Sequence, residues 1–286
     1  MSNLVTIFGG SGFVGRYIAR RLAKQGWRVR VAARNPNDAG FVRTYGSVGQ
    51  VTPVLTNIRN ETSVAEALAG ASAVVNCVGI LAPTGPNTFD AVQAEGAGRI
   101  ARLAREAGIA KVVHISAIGA DAESESDYAR TKAEGEALVL EHAPDAVILR
   151  PSVIFGQEDE FFNRFASMSR LGPILPVVGA EMRFQPVYVD DIAKAAADAV
   201  EGKVEPGVYE LGGPDIHSFR ELMDMMLGII RRRRLVANIP FPVANLMGLG
   251  FEIAGKLSGG LIPPQITRDQ VKNLANDNVV SEGAKT

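Results

Sequence analysis

Residues 4–15 decide the fold, because they join an apolar run to a glycine-rich loop: Leu-Val-Thr-Ile-Phe-Gly-Gly-Ser-Gly-Phe-Val-Gly. The loop consists of Gly9, Gly10, Ser11, Gly12, Phe13, Val14 and Gly15. In such a loop one glycine permits a tight turn, one lets the backbone approach a pyrophosphate, and one lets the helix pack on the strand. The free N–H groups of the next helix favour phosphate. The pattern predicts a dinucleotide-binding unit at the start of the chain.

The chain alternates β-rich apolar runs with helical patterns up to about residue 150, which predicts a parallel sheet covered by helices. The helix after the loop carries Val14, Ile18 and Leu22 at fourfold spacing. The run from Ser63 to Glu66 is predicted to be a capping box at the start of another helix. Strands are predicted at residues 4–8, 28–33, 51–55, 73–78, 111–116 and 146–150.

The length of the chain allows either one large α/β unit or a domain with an appendage. The 286 residues are 47% hydrophobic and 21% charged, which excludes a disordered, collagen-like or coiled-coil chain. We expect a doubly wound α/β domain over residues 1–212, with residues 156–184 inserted toward the cleft. Residues 186–189 and the Ala-rich helix after them are predicted to return to the sheet. A smaller, partly interleaved helical portion is expected over residues 213–286.

Charge and cysteine content narrow the class of protein. The 30 basic and 31 acidic residues give no overall basic footprint for nucleic acid, although residues 217–286 hold nine basic and six acidic side chains. The single Cys77 excludes an internal disulfide and predicts a reducing compartment. The start of the chain shows no leader pattern, so we expect a bacterial or already processed protein. Because His114, His142 and His217 lack ligand spacing, no metal site is predicted.

Arg34 favours NADP(H) over NAD(H). An NAD site carries an Asp or Glu about 20 residues after the glycine loop, where this chain has Arg34. A guanidinium suits the 2′-phosphate of NADP(H); the alternative is that Arg34 merely ends an exposed strand. Arg16 is a candidate for a second phosphate or ribose contact. Asn57 and Ile58 are candidates to flank the adenine.

Tyr128 and Lys132 form the candidate catalytic pair. Their i, i+4 spacing places both on one face of a helix. A neighbouring ammonium is expected to lower the pKa of the phenol, so that Tyr128 can donate a proton in carbonyl reduction while Lys132 holds the nicotinamide ribose. Ser116 is the candidate hydroxyl in the preceding strand.

These motifs resemble the short-chain dehydrogenase/reductase superfamily in its extended and atypical branches. Further likeness lies in Asn76-Cys-Val-Gly79, Arg150-Pro-Ser152 and Val187-Tyr-Val-Asp-Asp191. The resemblance implies a Rossmann-type fold in which the tyrosine is the catalytic acid, the lysine positions it and a serine stabilises the substrate oxygen. Ser116 departs from the pattern, since the family's functional hydroxyl falls slightly later, where this chain has Ala117 and Ile118. The implied cofactor contacts add Val78, Gly79, Pro151, Ser152 and Val153.

A narrower resemblance lies in residues 114–121, 128–134 and above all 266–281. These segments resemble the nucleotide-binding accessory subunit of respiratory complex I in its bacterial form. The resemblance implies tightly held NADPH far from the electron path, a stabilising role, and the other subunits of the complex as partners. It also implies a peripheral location on the cytoplasmic side of the bacterial inner membrane.

Residues 231–257 combine four arginines with an apolar run. Such an amphipathic segment can lie on an anionic membrane surface or a partner's apolar face; the alternative is a helix that closes over the cleft, with solvated arginines. Pro263-Pro264 is expected to end it. Two other functions remain open: a free NADPH-dependent oxidoreductase or epimerase that uses Tyr128 and Lys132, and a redox-sensing regulator that binds the nucleotide without turnover.

Overall fold

The computed structural model describes residues 3–257 and 267–286. Its strands are β1 (Leu4–Phe8), β2 (Arg28–Ala33), β3 (Val51–Leu55), β4 (Ala73–Asn76), β5 (Lys111–Ile115), β6 (Val147–Pro151), β7 (Ile154–Phe155), β8 (Ile174–Val178), β9 (Arg183–Phe184), β10 (Val187–Tyr188), β11 (Gly207–Leu211), β12 (His217–Ser218) and β13 (Leu235–Ile239). Its α-helices are α1 (Phe13–Lys24), α2 (Glu61–Leu68), α3 (Glu95–Glu106), α4 (Asp127–His142), α5 (Phe161–Met168), α6 (Val189–Glu201), α7 (Phe219–Ile229), α8 (Phe241–Leu257) and α9 (Arg268–Asn273). A 3₁₀ helix covers Gly40–Tyr45, and a π-helical turn covers Asp90–Ala94.

One parallel sheet organises the described chain, with strand order β11-β6-β5-β4-β1-β2-β3. The order reverses between β1 and β4, which pair directly although two strands separate them in the chain. In open sheets of this kind, ligands bind beyond the carboxyl ends of the strands at such a reversal. The glycine loop begins at this point, immediately after β1.

Helices cover both faces of the sheet, so the central strands are buried on both sides. On one face α1 and α6 pack through Ile18, Leu22 and Ile192; on the other, α2 and α3 pack through Leu68 and Ile100. This double burial explains the nearly continuous Val, Ile and Ala runs of the strands. The predicted doubly wound α/β fold is confirmed.

Three local predictions are corrected. β4 ends at Asn76 and not at residue 78, because the Asn76 side chain accepts the Val78 N–H and turns the chain out of the sheet. The predicted capping box at Ser63 is wrong: Asn60 caps α2 by accepting the Ser63 N–H. Residues 187–188 pair with β7 outside the main sheet, and the strand that returns to it is β11, beside β6.

A second core joins the predicted insertion to the carboxyl-terminal portion. Phe184 of β9, Phe219 and Met223 of α7, and Val236 of β13 are buried together in it. β13 pairs in parallel with β8, so strands as well as helices build this part of the molecule. The division into domains at residue 212 stays a prediction.

The segment over residues 231–257 is a strand followed by a helix. Arg232 donates to the Ala166 carbonyl at 3.0 Å and Arg234 to the Ser169 carbonyl at 2.8 Å, so both bind the carboxyl end of α5. Arg231 and Arg233 are exposed. Among the helices that the structure describes, none is long and apolar enough to cross a membrane. Pro263 and Pro264 lie outside the described residues.

Candidate functional site

The glycine loop forms a close contact between β1 and α1. Gly9 has φ +73°, in the left-handed region that favours glycine. A Cβ atom on Gly15 would clash with the Gly9 carbonyl oxygen, and one on Gly10 would lie 3.0 Å from the Ile7 carbonyl oxygen. Gly10 and Gly15 are buried and serve this packing, whereas Gly12, at the start of α1, is exposed.

The start of α1 suits a phosphate group. Its N-cap residue, Gly12, makes no side-chain cap, and its first turn carries no acidic residue. By contrast, α2 and α4 are capped by the side chains of Asn60 and Ser126. Uncapped N–H groups at the positive end of a helix attract an anion. The loop and helix therefore fit the pyrophosphate of a dinucleotide, which would supply hydride chemistry when bound.

The two candidate arginines have different surroundings. The Arg16 guanidinium donates to the carbonyls of Ser11 and Gly12, each at 3.2 Å, and its carbon lies 4.8 Å from the centre of the Phe41 ring. Arg16 thereby ties the loop to the 3₁₀ helix. Arg34 directly follows β2 and is exposed. Because the Gly9 N–H donates to the Ala32 carbonyl at 3.1 Å, the end of β2 lies beside the loop.

The remaining candidate cofactor residues lie at the same edge of the sheet. Asn57 and Ile58 follow β3, where the Ile58 carbonyl accepts a hydrogen bond from Arg99 at 2.8 Å. Val78 and Gly79 follow β4, and a Cβ atom on Gly79 would lie 3.4 Å from Lys132 Nζ. The structure thus brings the glycine loop, the ends of β2 to β4, and the start of α4 to one edge.

Tyr128 and Lys132 lie on α4 as predicted, but their electrostatics differ from the expectation. Lys132 Nζ is buried and donates to the Ile115 carbonyl at 3.2 Å. Burial lowers the pKa of Lys132 to about 8, while Glu136 and Cys77 oppose this change. Tyr128 is half-buried, and burial of its phenol raises the pKa to about 12. The expected lowering of the Tyr128 pKa is wrong, because burial raises it; a protonated phenol suits the role of a proton donor.

Ser116 is buried at the end of β5. Its Oγ has no hydrogen-bond partner among the described residues, and its backbone N–H donates to the Leu149 carbonyl at 2.7 Å. The following Ala117 and Ile118 line a cavity next to Tyr128, and so does Ser124. Sequence reasoning missed Ser124 because it lies in an acidic loop rather than in the Ser-Tyr-Lys pattern.

The carboxyl-terminal tail contacts both sides of this site. Asp269 accepts hydrogen bonds from Ser126 Oγ at 3.1 Å and from the N–H groups of Asp127 and Tyr128 at 2.6 and 3.2 Å. Ser152 Oγ donates to both oxygens of Asn278 at 2.7 Å. The Val153 N–H donates to Asn278 Oδ1 at 2.9 Å, in the turn after Pro151 and β6. The tail therefore holds α4 and the end of β6, and no local sequence pattern in the tail predicts these contacts.

Two other groups lie near Lys132, the buried His114 and the half-buried Cys77. His114 Nδ1 lies 3.1 Å from the Asn76 amide nitrogen, and burial lowers the His114 pKa to about 3, with the Lys132 charge adding to this change. Burial raises the pKa of the Cys77 thiol to about 12, which makes it unreactive at neutral pH. Within the described residues, no group of three or more His, Cys, Asp or Glu side chains is placed to hold a metal ion.

Residues 5–212, which contain the loop, the Tyr-Lys pair and the sheet, match the NAD dependent epimerase/dehydratase family. The chain belongs to this family. Within it, the chain is 35% identical to the NADH dehydrogenase [ubiquinone] 1 alpha subcomplex subunit 9 of Arabidopsis thaliana, over 98% of this chain and 72% of that protein. The resemblance to the complex I subunit family is thereby confirmed.

Other proteins to which the chain is similar include enzymes. The ceramide reductase of Caulobacter vibrioides is 31% identical over 66% of this chain and 58% of its own length. The Bordetella bronchiseptica enzyme WbmH, solved in complex with NAD+, has a TM-score of 0.70 and 18% identity, covering 84% of this chain and 86% of its own. At that identity, the likeness to WbmH supports the fold alone.

Proposed function

We propose that this chain is an accessory subunit of bacterial respiratory complex I that holds NADP(H) and stabilises the complex without taking part in electron transfer. One observation carries the proposal: the chain is similar to the Arabidopsis subunit over 98% of its length, including the tail beyond the family match. The partners would be the other subunits of the complex. Residues 231–257 would contact them or the anionic surface of the membrane.

The proposed location is the cytoplasmic side of the bacterial inner membrane. A single cysteine without a disulfide partner is typical of proteins in a reducing compartment. The exposed Arg231 and Arg233, together with Leu246 at 71% exposure, give residues 231–257 both charge and apolar surface. This combination of positive charge and apolar surface suits peripheral contact with a membrane-bound complex.

NADP(H) as the cofactor is supported by Arg34 at the end of β2. We expect Arg34→Asp to shift binding from NADP(H) toward NAD(H) by about tenfold or more, because a charged hydrogen bond to phosphate is replaced by repulsion. Arg28→Asp, at the exposed opposite end of β2, should leave the preference unchanged. Calorimetric titration of both variants checks this. Unchanged selectivity in Arg34→Asp would show that Arg34 does not read the 2′-phosphate.

Deletion of the gene tests the stabilising role. We expect membranes of the deletion strain to contain less assembled complex I and less NADH:quinone oxidoreductase activity. Expression of the wild-type chain and of Tyr128→Phe should both restore the complex, because the proposal assigns no turnover to Tyr128. A deletion strain with normal amounts of active complex would refute the stabilising role.

A free NADPH-dependent reductase or epimerase is the second candidate. The position of Tyr128 beside a cavity and the 31% identity to a ceramide reductase favour it. In this case, Tyr128 would donate its proton to a carbonyl oxygen of the substrate, and Lys132 would hold the cofactor's ribose. Substrate-driven oxidation of NADPH by the purified chain that is lost in Tyr128→Phe would support this candidate, and no loss in that variant would refute the role of Tyr128.

A further inference from the structure

A cavity of about 880 Å³ adjoins the Tyr128 side of the candidate site. Its size lies within the roughly 300–1,000 Å³ of small-molecule sites. The lining combines Tyr128, Ser124 and Ile118 with residues of the second core and with Met247 and Phe251 of α8. The cavity therefore extends from the proposed proton donor to the helix that follows the basic run.

The lining is mainly apolar. Phe161, Phe165, Phe184 and Phe219 form one aromatic cluster with ring centres 5.3 to 6.0 Å apart, and all four line the cavity. Met168 and Met247 add flexible thioether side chains, which adapt to ligands of irregular shape. Such walls bind hydrocarbon and offer few hydrogen bonds.

The charges on the lining disfavour an anionic ligand. Among the described residues that line the cavity, three are acidic, Asp121, Asp269 and Asp277, and one is basic, Arg164. Asp277 is paired with Arg183 at 2.7 Å, and Asp269 accepts N–H groups in the first turn of α4. A diphosphate needs several arginines or lysines to offset its charge. This lining thus fits an uncharged ligand better than a nucleotide sugar.

Apolar side chains also stand where the cavity reaches the surface. Leu171 and Met247 both line it and are 88% and 40% exposed. We propose that the cavity binds the hydrocarbon chain of an uncharged lipid, with the lipid's polar head toward Tyr128 and Ser124. The inference rests on the proposed function only in that Tyr128 marks the polar end; binding itself requires neither nucleotide nor complex I.

Displacement of a fluorescent apolar probe tests the proposal on the purified full chain. N-phenyl-1-naphthylamine should bind saturably at one site, and 1-monomyristoylglycerol below its micelle concentration should displace it. UDP-glucose should not displace it, and myristate should compete at least about tenfold more weakly, because its carboxylate meets the acidic lining. Displacement by UDP-glucose, or equal competition by myristate, would overturn the assignment of an uncharged ligand. A lack of saturable probe binding would overturn the site.

Adjacent residues of α8 provide matched variants. Met247→Glu places a carboxylate on the lining and should weaken probe binding by at least about tenfold, whereas Leu246→Glu, off the lining and 71% exposed, should change it by less than about twofold. Equal effects of the two variants would place the probe outside the cavity. Met168→Glu, with the exposed Ser167→Glu as its control, repeats the comparison on α5 should α8 fail to fold. Release of nucleotide from the same preparation is measured separately, so a failed lipid site leaves the proposed nucleotide site intact.

Discussion

At position 15 any side chain would meet the Gly9 carbonyl oxygen, because α1 begins directly against the loop. Gly228, on the exposed side of α7, has open space where its Cβ would lie. The two glycines thus have opposite physical roles. One permits a close backbone contact, and the other only weakens a helix.

We predict that Gly15→Ala lowers the free energy of unfolding by about 1–3 kcal/mol and abolishes nucleotide retention, since the loop must shift to admit the methyl group. Gly228→Ala should raise the free energy of unfolding by about 0.5–1 kcal/mol, because alanine favours the helix. Urea denaturation measures both. A destabilised Gly228→Ala, or a Gly15→Ala that is as stable as wild type and retains nucleotide, would contradict this view of the loop.

His114 links stability to pH. The unfolded chain binds a proton on this imidazole near pH 6.5 and the folded chain only near 3, because burial disfavours the charged form. Stability should therefore fall as the pH drops from about 6.5 toward 3, by up to roughly a few kcal/mol from this group. Denaturation curves of wild type and His114→Gln across this range check it. Parallel pH profiles of the two proteins would show that His114 contributes nothing.

The Ser126 cap at the start of α4 is supplemented by Asp269, a residue 142 positions away from Asp127 in the sequence. The Asp269 carboxylate accepts the N–H groups of Asp127 and Tyr128, where an anion also interacts favourably with the helix dipole. The tail thus fixes the start of the helix that carries Tyr128 and Lys132. This contact connects the carboxyl-terminal segment to the geometry of the site.

Replacement of this cap should destabilise the start of α4. We predict that Asp269→Asn lowers the free energy of unfolding by about 1–2 kcal/mol and speeds amide hydrogen exchange at residues 127 and 128. Asp224→Asn, exposed on α7, should change stability by less than about 0.5 kcal/mol. Equal stability losses in the two variants, without faster exchange at α4, would contradict the capping role.

The strands that could be predicted from sequence contain an apolar run next to loop residues. β1, β2 and β3 match the prediction residue for residue: β1 is buried along its length, while β2 and the edge strand β3 are partly exposed but end in short apolar runs. β11 was missed because it is a half-buried edge strand without such a run. The α2 cap was misplaced because Asn60 and Ser63 both suit an N-cap, and only the fold selects between them.

In the candidate site, the features that could be predicted from the sequence are the local ones. The glycine loop and the Tyr-Lys pair are local patterns, so their positions follow from the sequence. The pKa values of Tyr128 and Lys132 depend on burial by distant segments, and the Lys132 hydrogen bond goes to Ile115 rather than to Tyr128. The roles of Asp269 and Asn278 depend on contacts across more than a hundred residues.

Across the whole molecule, the near-zero net charge hides an asymmetry. Residues 217–286 hold nine basic and six acidic side chains, so this part is positively charged. The rest of the chain is acidic, and the two parts sum to the total of -1. The tail contacts the main sheet at β11, which pairs with β6. There the Lys285 carbonyl accepts the Glu210 N–H at 2.9 Å. A basic portion joined in this way suits attachment to an assembly at an anionic membrane.

One experiment tests the proposed function as a whole. Respiratory complex I is purified from the native host in mild detergent, and its subunits and released nucleotides are identified by mass spectrometry. The proposal predicts that this chain co-migrates with the complex in stoichiometric amount and that NADP(H) is released from it on denaturation. An intact, active complex that never contains the chain would contradict the proposal.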